Sequence, residues 1–207
     1  MTLILFDFDG VLADTLDDLL QFSQEICNEL GVHHQVVKED ISILEAMSFA
    51  NIGRQMEVPE PLIDEFVRRS LAKVANKKSP PCIFKGLAEV VRDLSTRHIL
   101  GIVTTNSSPN VKAFLIEHGL EDCIRAIYGV DLPGTKAEKI SQARSQFAAA
   151  GEAVFMIGDS ASDIRSASEA SVKSIGVSWG HQSMEMLIRA KANYIVYSPK
   201  ELAEIFT

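Results

Sequence analysis

The sequence predicts an α/β fold in which a parallel β-sheet is interrupted, after its first strand, by a helical insertion. Two observations predict the sheet. Short apolar runs alternate along the chain with amphipathic stretches of helical periodicity, and the runs are continuous, as in strands buried on both faces. A third observation predicts the insertion, because residues 15–80 carry helical periodicity without a convincing strand.

The first strand is predicted at residues 2–6 (TLILF), an apolar run that stops at Asp7. Four further strands and six helices then alternate, which is the order expected for a parallel α/β sheet. The strands are predicted at 98–104, 153–157, 172–177 and 193–197. The helices are predicted at about 86–96, 108–118, 136–149, 162–170, 183–190 and 199–206.

The insertion is predicted to be all-helical. Apolar residues recur at helical spacing from Leu16 to Leu30, and Gly31 has the position of a C-cap. Further helices are expected near 37–50 and 60–76. Insertions of this kind are often lids over an active site. The predicted organisation is a core formed by residues 1–14 and 81–207, with a helical cap at 15–80.

Composition limits the classes of function. With 46% hydrophobic and 23% charged residues, the chain has an ordinary globular balance rather than a disordered one. The net charge of −8 disfavours binding to a nucleic-acid backbone but leaves a small anionic substrate possible. No apolar run approaches the ~18 residues of a membrane span. Three widely spaced cysteines without a CxxC pair favour buried thiols and a cytoplasmic protein.

Carboxylates follow two of the predicted strands. Asp7 and Asp9 come directly after the first strand, and Asp159 and Asp163 follow the strand at 153–157. Because ligands bind outside the carboxyl ends of parallel strands, these side chains are expected to converge in one crevice. Four converging carboxylates repel one another unless a cation neutralises them. The hard oxygen ligands predict Mg²⁺ bound together with a substrate phosphate.

Phosphate-binding groups are predicted at the same edge of the sheet. Thr105 and Asn106 emerge from the strand at 98–104 onto a helix N-terminus, which is an anion site. A phosphate also needs a fixed cation. Lys136, at a predicted helix start, is the preferred residue, and Lys139 is the alternative.

With these residues identified, the chain resembles the haloacid dehalogenase-like hydrolase superfamily in four motifs. They are, in the superfamily's order, DFDGVLADT at 7–15, IVTTNSS at 102–108, Lys136 and GDSASD at 158–163. A single DxD is a weak signal, whereas four motifs in order are a strong one. The superfamily often has proline directly after its lysine, but Ala137 stands here, so Lys139 stays open.

The resemblance covers 1–15 and 81–207. It implies a Rossmann-like core, and the insertion resembles the small C1-type cap of that superfamily. The C-terminal segments GVSWGHQS at 176–183 and NYIVYSPKEL at 193–202 are similar to the phosphoglycolate phosphatase-like branch.

The resemblance also implies catalytic roles. Asp7 would be the nucleophile that becomes an aspartyl phosphate, and Asp9 the general acid and then the base. Thr105, with Asn106 beside it, would hold a phosphoryl oxygen, and Lys136 would neutralise the phosphoryl charge. Gly10, in the first motif, is assigned to the same phosphate-binding set.

The metal site implied by the resemblance has four contributors. Asp7 and Asp159 would bind Mg²⁺ through their side chains, and Asp9 through its backbone carbonyl. Asp163 would act directly, through water, or through Lys136.

Several residues have competing interpretations. Thr104 replaces Thr105 if the strand ends one residue earlier, although the superfamily pairs its threonine with a following asparagine. Arg54, in the insertion, is a candidate for contact with the leaving group, and a surface arginine is the commoner case. His181, after Trp179-Gly180, is a candidate for approach to the predicted crevice, but a surface or structural role is the default interpretation.

These inferences predict a Mg²⁺-dependent phosphatase that acts on a small phosphorylated metabolite, with phosphoglycolate as the substrate suggested by the resemblance. A phosphomutase acting on a sugar phosphate uses the same motifs and stays open as an alternative. A non-catalytic metal-binding scaffold is the third hypothesis. Neither a nucleic-acid nor a membrane partner is expected, and the sequence leaves the oligomeric state open.

Overall fold

The computed structural model describes residues 1–45, 47–77 and 79–207. Its centre is a six-stranded parallel sheet formed by β1 (Leu3–Phe6), β4 (Ile99–Val103), β5 (Ala126–Tyr128), β6 (Val154–Gly158), β7 (Lys173–Val177) and β8 (Tyr194–Val196). The strands lie side by side in the order β5-β4-β1-β6-β7-β8. This confirms the predicted α/β fold and its parallel sheet.

Helices cover both faces of the sheet. Alternate residues of β1 point to opposite sides, so Ile4 and Phe6 enter one buried cluster while Leu3 and Leu5 enter the other. The core helices are α5 (Leu87–Ser95), α6 (Ser108–Glu117), α7 (Lys136–Gln146), α8 (Ala161–Glu169), α9 (Met184–Arg189) and α10 (Pro199–Glu204). The first cluster packs against α5, α6 and α10, and the second against α7 and α8.

The helical insertion follows β1 and has a hydrophobic cluster of its own, which includes Ile26, Ile41, Met56 and Phe66. Its helices are α1 (Leu16–Glu29), α2 (Lys38–Ser42), α3 (Phe49–Gln55) and α4 (Ile63–Ala75). A two-stranded antiparallel ladder joins the insertion to the core, with β2 (Ala13–Asp14) pairing β3 (Cys82–Ile83). The exact division of the chain at residues 15 and 80 stays a prediction.

Some elements differ from the sequence-based prediction. Strands β2, β3 and β5 were not predicted, because two or three residues are too few to give a periodic signal. The helix expected near 37–50 is two helices instead. Ser48 begins the second of them, since its side chain accepts a hydrogen bond from the Asn51 backbone N–H.

Among the described residues, none of the helices has both the length and the apolar composition that a membrane span needs.

Candidate active site

The register of the sheet brings the ends of three strands together. Phe6, the last residue of β1, pairs with Ile102 of β4 on one side and with Ile157 of β6 on the other. The Asp7 backbone N–H continues this pattern by donating to the Ile157 carbonyl at 2.8 Å. Residues that follow these strands therefore meet at one edge of the sheet, as the sequence predicted for parallel strands.

Three carboxylates form a buried cluster at this edge. One oxygen from each of Asp7, Asp159 and Asp163 lies within 4.8 Å of the others. Asp159 and Asp163 are buried, and Asp7 is almost so. Three carboxyl groups at this separation have only the single positive charge of Lys136 beside them, so the donor set fits a divalent cation that prefers hard oxygen ligands.

Lys136 is the cation of this cluster. As the first residue of α7 it places Nζ 2.9 Å from Asp7 Oδ2 and 2.6 Å from Asp163 Oδ1. Burial alone would lower the pKa of Lys136, but the two carboxylates raise it above its ordinary value, so the side chain is positively charged. Lys139 points elsewhere, because its Nζ donates to the Gly129 carbonyl at 2.8 Å.

Both oxygens of Asp163 already have partners in the protein. Oδ1 faces Lys136, and Oδ2 accepts hydrogen bonds from the backbone N–H and the hydroxyl of Ser160, at 3.1 and 2.6 Å. Ser160 in turn caps α8 by accepting from the Asp163 backbone N–H. Of the roles implied for Asp163, this arrangement favours action through Lys136.

The surroundings of Asp7 oppose ionisation of its carboxyl group. Burial raises the pKa of its carboxyl to about 8, and the charge of Lys136 offsets only part of that effect. Because a carboxylate nucleophile must be ionised, a further positive charge would be needed to keep Asp7 charged near neutral pH.

Asp9 lies outside the carboxylate cluster and faces the same cavity. Its Oδ2 accepts a hydrogen bond from the Asn106 side-chain amide at 3.0 Å. Burial raises the pKa of Asp9, although the bond from Asn106 opposes the shift. A carboxyl with a raised pKa is suited to proton transfer, and Asn106 fixes its direction.

The two threonines after β4 point in different directions. Thr104 is buried, and its hydroxyl accepts a hydrogen bond from the Asn106 backbone N–H at 3.0 Å. Thr105 is exposed and lines the cavity above the carboxylates. Of the two, only Thr105 is free to face a bound phosphate.

Gly10 is required by the backbone at this site. Its φ is +77°, and a Cβ at this position would overlap the Asp159 carboxylate and approach His181. The loop after β1 can therefore lie directly against Asp159 only because residue 10 has no side chain.

His181 belongs to the site, although sequence reasoning gave it a structural role by default. Its backbone N–H and its Nδ1 lie 2.7 and 3.1 Å from Asp159 Oδ2, and its Nε2 lies 3.1 Å from Thr15 Oγ1. Burial would lower the pKa of His181, but the bond to Asp159 and its charge raise it. The available signal was its position after β7, at the same edge of the sheet.

Arg54 is not brought to the site. The guanidinium makes two hydrogen bonds with the Glu60 carboxylate, at 2.7 and 3.1 Å, on the exposed surface of the insertion. The residue does not line the cavity that contains the carboxylates. The structure thus places Arg54 as the commoner surface arginine, paired with an acidic neighbour, and contact with a leaving group stays an untested prediction that this position does not favour.

A cavity of about 930 Å³ lies between the strand ends and the insertion. Its floor contains the candidate catalytic groups, which are Asp7, Asp9, Thr105, Asn106, Lys136 and Asp159. The opposite wall is formed by α1, α3, α4 and the segment before α3. A ligand that extends from the floor across this cavity would therefore contact the insertion as well.

The chain is similar in sequence to known hydrolases. A family model for haloacid dehalogenase-like hydrolases matches residues 4–177. The chain is 26% identical over 212 residues to a phosphoglycolate phosphatase of Synechococcus elongatus, covering 100% of this chain and 98% of the relative. It is 31% identical over 192 residues to a phosphoglycolate phosphatase of Caulobacter vibrioides, covering 86% and 79%.

A solved structure shows the same fold. A haloacid dehalogenase-like family hydrolase from Streptococcus pneumoniae superposes with a TM-score of 0.86 at 23% identity, covering 100% of this chain and 99% of the other.

Proposed function

The chain belongs to the haloacid dehalogenase-like hydrolase family and is a phosphatase, and on this premise we propose that it hydrolyses a small phosphomonoester through an aspartyl phosphate, with Mg²⁺. One observation carries the proposal. Lys136 bridges Asp7 and Asp163 beside Asp159, and Asp9 faces the same cavity. This is the charge distribution that phosphoryl transfer requires.

In the first step, a carboxylate oxygen of Asp7 forms a bond to phosphorus while the bond from phosphorus to the leaving oxygen breaks. Asp9 donates its proton to that oxygen, so the product leaves as a neutral alcohol. Lys136 neutralises the charge on Asp7 and on the phosphoryl oxygens, and the Thr105 hydroxyl donates to one of them.

In the second step, Asp9 accepts a proton from water as the water oxygen attacks phosphorus. The bond between phosphorus and Asp7 then breaks, which releases inorganic phosphate and restores the Asp7 carboxylate. Both proton transfers use the same group in opposite directions. The Asn106 amide holds Asp9 in place for each of them.

Asp7, Asp159 and the Asp9 backbone carbonyl would hold the Mg²⁺, with Asp163 acting through Lys136. The ion would supply the positive charge that lets an ionised Asp7 approach a phosphate dianion. The pKa of Asp7, raised to about 8 by burial, supports the need for that charge.

The test is release of inorganic phosphate from p-nitrophenyl phosphate in the presence of Mg²⁺. Asp7→Asn and Asp9→Asn should each lower kcat by about 10³-fold or more, because the first variant lacks the nucleophile and the second lacks the group that transfers protons in both steps. Asp122→Asn, which replaces an exposed aspartate away from the cavity, is the matched control and should keep the wild-type rate.

Full activity in Asp7→Asn would reject the aspartyl-phosphate mechanism. Transfer of labelled phosphate to a sugar hydroxyl instead of water would identify the alternative, a phosphomutase. Because two relatives are named phosphoglycolate phosphatase, phosphoglycolate is the natural reference substrate for this chain.

A further inference from the structure

The wall of the cavity opposite the catalytic floor is predominantly apolar, with Asp18, Ser48 and Lys77 among its polar members. Helices α1, α3 and α4 and the segment before α3 contribute the large side chains of Leu19, Phe22, Met47, Phe49, Leu71 and Val74. Leu71 is 55% exposed and Val74 36% exposed. On the core side, Val130 is 60% exposed and lines the same cavity. A ligand that covered these side chains would remove apolar surface from water.

The cations that line the cavity already have partners. Among its described lining residues, Lys77 pairs with Asp18, Lys136 with Asp7 and Asp163, and the His181 ring with Asp159. On the insertion side, a second anionic group on a substrate would lie near the Asp18 carboxylate. Among the described residues that line the cavity, it would find no cation without a partner. Placing an unpaired charge in such a site is costly.

Resting on the proposed function, we propose that the substrate is a phosphomonoester of an uncharged, predominantly apolar alcohol. Its phosphate lies on the floor beside Asp7 and Lys136, and its organic group lies against the apolar wall. The cavity volume of about 930 Å³ is in the upper part of the ~300–1,000 Å³ range of small-molecule sites. It suits an aromatic or medium-length alkyl group better than the two-carbon carboxylate of phosphoglycolate.

The experiment compares kcat/KM for ethyl, butyl and hexyl phosphate, with phosphoglycolate measured in the same assay. These alkyl phosphates have closely similar leaving groups, so a trend along the series reports binding of the alkyl chain. Each methylene that is partly or fully buried should raise kcat/KM about two- to fourfold. We expect hexyl phosphate to exceed ethyl phosphate by at least about tenfold, and to exceed phosphoglycolate as well.

Leu71→Ser tests whether the apolar wall causes the trend. It should lower the ratio of hexyl to ethyl kcat/KM by about threefold, since the wall loses apolar surface. Val130→Ser should act in the same direction from the core side. Ile188→Ser is the matched control, because Ile188 is a helical residue 56% exposed that does not line the cavity, and it should leave the ratio unchanged.

The outcomes separate this inference from the proposed function. Hydrolysis with a flat alkyl series, or with phosphoglycolate preferred, would overturn the inference and leave the phosphatase in place. A chain-length trend that Leu71→Ser and Val130→Ser do not reduce would assign the selectivity to another surface and also overturn it. Absence of phosphate release from every ester, including p-nitrophenyl phosphate, would overturn both.

Discussion

At the residue scale, two lysines in the first turn of the same helix have different surroundings. Lys136 contacts two carboxylates of the site, whereas the Nζ of Lys139 is buried against the Gly129 carbonyl. The two lysines are only three residues apart in the sequence, but their side chains point in different directions. We therefore expect Lys136 to act on the substrate and Lys139 to stabilise the fold. The difference gives a paired experiment.

Lys136→Met should lower kcat for p-nitrophenyl phosphate by about 10²–10³-fold, because the transferred phosphoryl group loses its fixed positive charge. Lys139→Met should leave kcat close to wild type and lower the free energy of unfolding by about 1–3 kcal/mol, since a buried carbonyl loses its donor. Steady-state kinetics, under conditions in which both variants are folded, give kcat. Urea unfolding curves give the free energy of unfolding. An equal loss of kcat in Lys139→Met would refute the assignment.

Gly10 and Gly31 form a second pair at this scale. Both have a positive φ, +77° and +72°, but a Cβ on Gly10 would overlap Asp159, whereas a Cβ on Gly31 would meet nothing within 4 Å. The two positions thus share a backbone requirement and differ in the space around them.

Gly31→Ala should cost about 1–2 kcal/mol of stability from the left-handed backbone alone. Gly10→Ala should add about 1–3 kcal/mol from overlap with Asp159 and should also lower the rate of phosphate release. Urea midpoints and steady-state rates of both variants test this. Equal stability losses, with activity kept in Gly10→Ala, would mean that the loop moves to accommodate the methyl group.

At the scale of elements, the loop between β7 and α9 joins the core to the insertion. Gln182 is 2% exposed; its amide donates to the Leu44 carbonyl at 2.6 Å and accepts from the Ala161 backbone N–H at 2.7 Å. The next residue along, Ser183, donates its backbone N–H to the Ser42 carbonyl at 3.0 Å. This loop therefore fixes the segment after α2 relative to the start of α8.

Gln182→Ala leaves two buried backbone groups without partners, each worth about 1–3 kcal/mol, so the free energy of unfolding should fall clearly. KM should rise, because the insertion is held less firmly over the catalytic floor. Gln146→Ala is the comparison, since the exposed Gln146 accepts one hydrogen bond, from the Tyr128 hydroxyl. Chemical denaturation and KM are measured on both variants. If Gln182→Ala changed the free energy of unfolding and KM no more than Gln146→Ala does, the role assigned to Gln182 would be contradicted.

At the scale of the whole molecule, both the candidate site and the chain as a whole contain more acidic than basic residues. The net charge is −8, and the site contains four aspartates, Asp7, Asp9, Asp159 and Asp163, but one lysine, Lys136, which pairs with two of them. The resulting repulsion opposes folding and would be relieved by a bound divalent cation.

Mg²⁺ should therefore raise the free energy of unfolding, by about 2.7 kcal/mol at a concentration 100 times its Kd. Asp159→Asn should abolish most of this increase, while Asp122→Asn should keep it. Thermal unfolding with Mg²⁺ and with EDTA gives the answer without any assay of activity. An unfolding temperature of the wild-type protein that is the same with Mg²⁺ and with EDTA would contradict the predicted metal site.

The sequence by itself determined five of the six strands of the sheet, the presence of a helical insertion and the edge at which the candidate site lies. Continuous apolar runs specify buried strands, and parallel strands send the residues that follow them to one edge. Asp7, Asp159 and Thr105 could therefore be assigned to a common crevice from their positions in the chain. These features depend on local patterns and on one rule of topology.

Only the tertiary structure decided which side chains face one another across that crevice. It separated Lys136 from Lys139, brought His181 to Asp159, left Arg54 on the surface with Glu60, and gave the cavity an apolar wall. Each of these outcomes depends on the packing of elements that are distant in sequence, and the periodicity of one segment carries no information about the direction of a side chain in another.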